Sequence, residues 1–389
     1  MIGSTSGVLQ GIRVVEQGTF ITGPCAGMML ADLGADVIKL ESPDGDPYRA
    51  YQGDRYSPHF QAYNRNKRSI AVDLKNASDR SLFDSLVRES DVFIQNFRPG
   101  TAERLGAGHV RLRELNPRLV YCSISGFGSS GPYVDRPSYD SVAQALSGFL
   151  SVVVDASRPR FLGPALADAI TGIYAAYGVL GALVQRGRTG TGALVEVSML
   201  EAMAHFAIEP FAAFFALGQN PTSSDRPRLA QAYILRTLDK RLLAIHLSSL
   251  EKFWSGLVKA LAAPALGSDP RFSTRQGRID HYEALGTELD LHFSRHELSH
   301  WIEALGRNDV PFAPINTIDE VVHDPQVAHL GLIVPVDSPH GAAKAVRPAV
   351  QFSGARAAAV SAAPLLDEHG ESIRAALRQR DAWPAAGST

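Results

Sequence analysis

Short β-branched runs alternate with helix-length segments through the first third of this chain, and no other feature limits its fold as much. Ile12 to Glu16 reads as a strand, Pro24 to Leu33 as a helix and Val37 to Glu41 as the next strand. Strands follow at Ser69 to Asp73, Val92 to Gln95 and Leu119 to Ser125, with a helix at Asp79 to Glu89. Strands joined by helices lie parallel and are covered on both faces, so the expected class is α/β: a doubly wound, Rossmann-like parallel sheet. Such sheets bind ligands at the carboxyl ends of their strands, here near Gln17, Glu41, Lys75, Asn96 and Gly126.

The pattern changes past Met199. Ala232 to Thr237 and Leu242 to His246 read as a hairpin, and two capping boxes, Ser248 with Glu251 and Ser294 with Glu297, predict helix starts. A second, smaller α+β domain is therefore expected at 226–325, after the Pro- and Ser-rich connection Gln219 to Arg228. It separates a large domain at 1–225 from a segment at 326–389 that returns to the large domain. A helix at Asp367 to Arg380 and a frayed end complete the expectation.

With 389 residues, 45 % of them apolar, the chain can fill the cores of two such domains. A formal net charge of -2 leaves no overall footprint for nucleic acid. No continuous apolar run reaches the ~20 residues of a bilayer span, and the N-terminus lacks a secretory pattern. Neither a nucleic-acid nor a membrane partner is expected, and the default address is cytoplasmic. Cys25 and Cys122 fall in a helix and a strand and read as small buried hydrophobes.

One carboxylate is conspicuous by its isolation. From Pro164 to Gln185 every residue but Asp168 is uncharged, Pro164 suits a first helical position, and Arg186 with Gly187 gives a basic, glycine-containing end. Asp168 then lies within two turns of the helix start, where the macrodipole favours an ionised carboxylate. That position suits a nucleophile, and it equally suits an acid that merely stabilises a first turn.

The wording around Asp168 changes the balance. Asp168, Thr171, Gly172, Ala182, Leu183, Arg186, Thr189, Gly190, Gly192, Val195, Val197, Ser198 and Glu201 form a pattern that closely resembles the family III CoA-transferases, which include the 2-methylacyl-CoA racemases. Further blocks at Gly23 to Glu41, Asn64 to Lys75, Asp91 to Gly100 and Glu114 to Pro132 follow the family's order. The resemblance implies an acyl-CoA:carboxylate CoA-transferase with Asp168 as the catalytic nucleophile. Coenzyme A, as acyl-CoA, and a free carboxylic acid would be its substrates, with no prosthetic group and no metal. It also implies a homodimer of interlocked rings.

By the same resemblance Val72, Lys75, Asn96, Phe97, Arg104 and Leu105 line the CoA site, and Arg98 is added for its place beside them. Phe20, Ile21, Thr22, Gly126 and Tyr139 are implied in the substrate pocket. The 3′-phosphate and diphosphate of CoA need cations and amide donors, and Lys39, Lys67 and Arg68 also fall near predicted strand ends. Each of these cations reads equally well as solvated surface charge.

The implied chemistry passes through an aspartyl mixed anhydride and an aspartyl-CoA thioester. Racemases or epimerases of the family instead use a His where this chain has Tyr139. A phenol holds its proton too tightly to act as a base at neutral pH, so transfer is favoured over racemisation. A catalytically silent CoA-binding protein is the third reading, opposed by the retention of Asp168 and the basic set. Ile21 stands where oxalate-handling members place a Gln, and the glycine run that covers their site is missing, which points to a larger or more apolar acyl group.

Two other patterns are weaker. Gly126 to Gly131 spells a dinucleotide fingerprint after a strand, but Pro132 and Pro137 bar the helix it requires, and in the resembled family this loop borders the active site. His292, His296 and His300 recur every fourth residue, as ligands on one helical face would, but a helix start between them breaks that face. Trp254 and Trp301 read as core anchors.

Overall fold

The structure, a computed structural model, describes residues 7–384 apart from 54, 162, 249, 340, 353–354, 357–359 and 381–382. The chain divides into two compact units: 1–150 with 161–208 and 329–389, and 151–160 with 209–328. The second unit thus begins earlier than residue 226 and takes in a short segment before Asp168.

In the first unit six parallel strands form one sheet: β1 (Arg13–Gln17), β2 (Asp36–Glu41), β3 (Lys67–Ala71), β4 (Val92–Gln95), β5 (Val120–Ser125) and β6 (Leu194–Ser198). Their order is β3-β2-β1-β4-β5-β6, so the direction of winding reverses between β1 and β4 and leaves a crevice at their carboxyl ends. Flanking helices are α1 (Thr22–Asp32), α2 (Pro58–Asn64), α3 (Ala77–Glu89), α4 (Thr101–Arg104), α5 (His109–Leu115), α6 (Asp140–Leu146), α7 (Leu166–Thr189) and α8 (Met199–Phe206). All five expected strands are present. The edge strand β6 is an addition whose sequence, LVEVS, alternates exposed and half-buried residues.

Register fixes which face each residue joins. Val14 lies opposite Val37 and Val92, and Val15 opposite Ile38 and Phe93. Val15, Ile38, Phe93 and Tyr121 pack with Phe83, Leu86 and Val87 of α3 and with Ile373 and Leu377 of the C-terminal helix Gly370–Arg380. On the other face Val14, Val37, Val92 and Cys122 pack with Ala26 and Leu30 of α1 and with Ala175, Ala176 and Val179 of α7. Helices α1 and α7 cross closely there: a Cβ added to Gly172 would lie 2.6 Å from Cys25 Cβ.

Helix α7 starts at Leu166, not Pro164, and runs past Arg186 and Gly187 to Thr189, where Gly190 closes it in the left-handed conformation. Arg186 is no end signal because it is buried and paired with Asp91 at 2.9 Å. By length and apolarity α7 could cross a membrane; here its small residues are buried against the sheet.

The second unit carries the expected hairpin as β7 (Ala232–Arg236) and β8 (Leu242–His246), joined by β9 (Phe312–Pro314) into an antiparallel sheet. Trp254 and Trp301 anchor its core with Leu243, Leu289 and Phe293. Neither expected capping box forms. Leu250 is the N-cap of helix Glu251–Ala260, and Ser294 closes helix Tyr282–Phe293 through its N–H to Asp290 O at 3.0 Å. The following helix, Leu298–Arg307, opens at Glu297, so His292 and His300 stand on different helices. The expected frayed end beyond Arg380 lies outside the described residues, Trp383 and Pro384 excepted.

Candidate active site

β1 and β2 end in charges that the sheet buries. Glu16 accepts from Lys67 Nζ at 2.9 Å and from the Gly18 N–H at 2.6 Å, and Lys39 Nζ lies 3.5 Å away. Lys39 pairs with Asp46 at 3.0 Å and donates to Gly18 O at 2.9 Å. Glu41 accepts two 2.7 Å bonds from Arg49 and a third from Ser69 Oγ. Gly27 of α1 makes room for this charge, since a Cβ there would lie 2.9 Å from Glu16 Cγ.

Burial acts against the charge of both lysines, with opposite outcomes. Glu16, Asp46 and Glu41 together outweigh it at Lys39, which is pushed up to about 12. At Lys67 burial prevails over Glu16, with Lys39 adding repulsion, and the amine is pulled down to about 8. Arg68 bonds both oxygens of Asp36. Lys39, Lys67 and Arg68 are therefore internal counter-ions and not the phosphate donors their strand-end positions suggested.

This network and one amide hold the loop before α1. Asn96, just past β4, accepts from the Thr19 N–H at 2.9 Å and donates to Thr19 O and Thr22 Oγ1, both at 2.8 Å. Phe20 adopts φ +59°, uncommon for a bulky residue, with its N–H on Asp46 Oδ1 at 3.1 Å. Its ring stands 5.7 Å from Tyr48 and 6.3 Å, edge-on, from Tyr139. Ile21 packs with Cys25 and Tyr48 beside Ala165, the N-cap of α7.

Asp168 arrives at this loop in the first turn of α7. Ala165 offers that helix no side-chain cap, and Asp140, the first residue of α6, substitutes: Oδ1 accepts from the N–H of Ala167 at 2.7 Å and of Asp168 at 3.3 Å. Gln144 Nε2 fixes the other Asp140 oxygen at 2.7 Å. Gly126 allows the segment to approach, because a Cβ there would collide with Ser138 Cβ. Burial, then the like charge of Asp140, push the Asp168 carboxyl up to about 7.

That reverses the expected effect of the helix start. A macrodipole contributes ~0.3–1 kcal/mol, less than the ~1.4 kcal/mol of one pKa unit, whereas burial can shift a carboxyl by ~3–5 units. The thiols behave as expected of buried hydrophobes: burial pushes Cys25 up to about 11 and Cys122 to about 12.

Residues 9–370 match the sequence pattern of CoA-transferase family III. The chain belongs to that family. It is 34 % identical to an acyl-CoA transferase of Fusarium pseudograminearum, over 95 % of this chain and 85 % of the relative. It is also 34 % identical to a succinate–glutarate CoA-transferase of Agrobacterium fabrum, over 97 % of this chain and 98 % of that one. A crystal structure of a CAIB/BAIF family protein from Brucella suis superposes with a TM-score of 0.86 at 34 % identity, covering 96 % of this chain and all of that one, 100 %.

The other residues expected in this family III chain are spread along the strand ends. Val72 is buried in the core that Leu105 joins from its edge. Phe97 and Arg98 border a cleft of about 960 Å³ with Ser123, Ser125 and Ser198, and Asp168 is not among its lining residues. Lys75 and Arg104 are exposed, the latter donating to Thr101 Oγ1 at 2.7 Å. The loop at Gly126 is followed by no helix before α6, so the fingerprint geometry is absent, and the Gly128 N–H bonds Ser125 Oγ at 2.9 Å. Sequence reading assigned no role to Asp140, Asp46 or Tyr48. Of these only Asp140 carried a signal, its place directly after Tyr139.

Proposed function

We propose that this family III protein moves CoA from an acyl-CoA thioester to a free carboxylate through covalent intermediates on Asp168. The observation that carries the reading is a half-buried carboxyl, raised to about 7, on a helix start whose amides Asp140 already holds. The relatives named as CoA-transferases support the reaction class. Asp168 attacks the thioester carbonyl, forming a mixed anhydride and releasing the CoA thiolate. The thiolate attacks the aspartyl carbonyl, which expels the donor acid and leaves an aspartyl-CoA thioester. The acceptor carboxylate displaces the thiolate, giving a second anhydride. Attack of the thiolate on its acyl carbonyl forms the new acyl-CoA and frees Asp168.

Donor acyl-CoA with hydroxylamine should inactivate the protein, and peptide mapping should place a hydroxamate on Asp168. An adduct on any other residue overturns the assignment. Tyr139, whose ring leans on Phe20, shapes the pocket in this reading, so a 2-methylacyl-CoA in deuterated water should take up no deuterium at its 2-position.

Only the ionised carboxylate attacks, so kcat/KM should rise with pH through about 7, where the Asp168 carboxyl titrates. Asp140→Asn keeps an oxygen for the Ala167 N–H and removes the repelling charge. The rising limb should then move to lower pH; a limb that stays in place would show that the Asp140 charge does not set it.

We further infer a homodimer. Helix Ile208–Leu217 buries none of its residues although it carries Phe211, Phe214, Phe215 and Leu217, and on α7 Tyr177 is 74 % exposed. The chain passes repeatedly between its two units, near 150, 161, 208 and 329, as an interlocked ring requires. Sedimentation over a wide concentration range should show one dimeric species, and a folded monomer on dilution would rule interlocking out.

A further inference from the structure

The side of Asp168 that the first unit supplies is a run of aromatic rings. From Tyr139 the contacts pass to Phe20, then to Tyr48, and Tyr48 lies 5.1 Å from Tyr51 and 5.6 Å from His59. Tyr51 and His59 meet edge-to-face at 5.1 Å. Tyr48 is buried against Ile21, Cys25 and Ala165, so the wall begins one helical turn from Asp168. Tyr51 and Tyr139 remain more than 60 % exposed, at 65 % and 63 %, and keep ring faces open to a ligand.

Most cations near this wall are already neutralised, and Arg136, three residues before Tyr139, lies over the Tyr133 ring at 4.4 Å. Arg49 is held by Glu41 and Arg65 by Asp32, while Lys39 and Lys67 lie buried among carboxylates. In the segment 42–65, among the described residues, Arg55 is the one cation without an ion pair. The charge that bears on Asp168 is another carboxylate, Asp140. A second carboxylate on the acyl group would enter beside two like charges with no paired partner, whereas an apolar chain or ring would gain contact with the rings.

We propose that the acyl group presented to Asp168 is that of an apolar or aromatic monocarboxylic acid, selected by the wall of Phe20, Tyr48, Tyr51, His59 and Tyr139. This rests on the transferase reading for its chemistry but not for its binding. Competition isotherms with the full-length protein should show phenylacetyl-CoA and hexanoyl-CoA binding at least about tenfold more tightly than succinyl-CoA, the effect of a few buried methylenes. Tyr51→Ala, at an exposed position, should shrink that ratio severalfold and leave free CoA affinity unchanged; Tyr48→Ala should abolish it if the variant folds.

Equal or tighter binding of succinyl-CoA overturns the proposal, and loss of that binding in Arg55→Ala would identify the cation responsible. Exchange assays keep the two readings apart. Ring preference without exchange removes the transferase reading alone, and exchange with a succinyl preference removes the wall alone.

Discussion

Asp168→Ala should lower CoA exchange by at least ~10³-fold while changing CoA affinity by less than about threefold. The carboxylate supplies the covalent step, and the phosphates and pantetheine of CoA supply the binding. Alanine is a good helix former, and Asp140 still accepts from the amides of α7, so the local fold should persist. A mass-spectrometric exchange assay with binding measured in parallel checks both halves. Activity within tenfold of the parent would remove Asp168 as nucleophile.

The same substitution has a signed effect on stability. The Asp168 carboxyl is raised in the folded protein from 3.8 to about 7, so its contribution is fully present below about 4 and is lost as pH rises through about 7. The parent should therefore lose stability relative to Asp168→Ala across that window, read as a difference in urea midpoint or Tm that moves against the parent as pH rises. The site holds its nucleophile at a cost to stability, as preorganised sites commonly do.

Glu16→Ala should destabilise the first unit by about 3–5 kcal/mol, the range seen when one partner of a buried ion pair is removed. Glu16 is fully buried and is the carboxylate that Lys67 Nζ bonds; Lys39 keeps Asp46. Lys67 would be left with Pro24 O and Asn64 Oδ1 as its partners, and its proton would be shed more readily than at the present value of about 8. Adding Lys67→Met to Glu16→Ala should restore part of the loss, because the orphaned ammonium is gone. Urea unfolding measures both, and a loss below about 1 kcal/mol for the single variant would show that the network is not a mainstay of the fold.

Activity should fall with stability in Glu16→Ala. The Gly18 N–H rests on Glu16, and Gly18 O on Lys39, so the loop that carries Phe20 and Ile21 is anchored at this pair. Rescue of stability without rescue of exchange would separate the anchoring of that loop from the packing beneath it.

The sequence by itself determined β1 to β5, their parallel arrangement, the β7–β8 hairpin and the Trp254 and Trp301 anchors. Each follows from periodicity over five to ten residues, which is how burial on one face is written locally. It also carried the family, through blocks spread from Gly23 to Glu201. It missed β6, β9 and the hairpin of β10 (Ile333–Ser338) and β11 (Gly341–Val346), whose strands are short or half-exposed at sheet edges and so alternate weakly. It misjudged both capping boxes: Ser294 stands where a helix ends, and Ser248 turns the chain after β8 with φ +53°, a backbone that no N-cap adopts. Only the tertiary structure decided the electrostatics of the site. Asp140 reaches Asp168 across 28 positions of sequence, and Glu16 reaches Lys67 across 51. Burial and charge pairing are sums over whatever the fold brings near, so one lysine rises, its neighbour falls, and an acid at a helix start titrates near neutrality, none of which local spacing encodes.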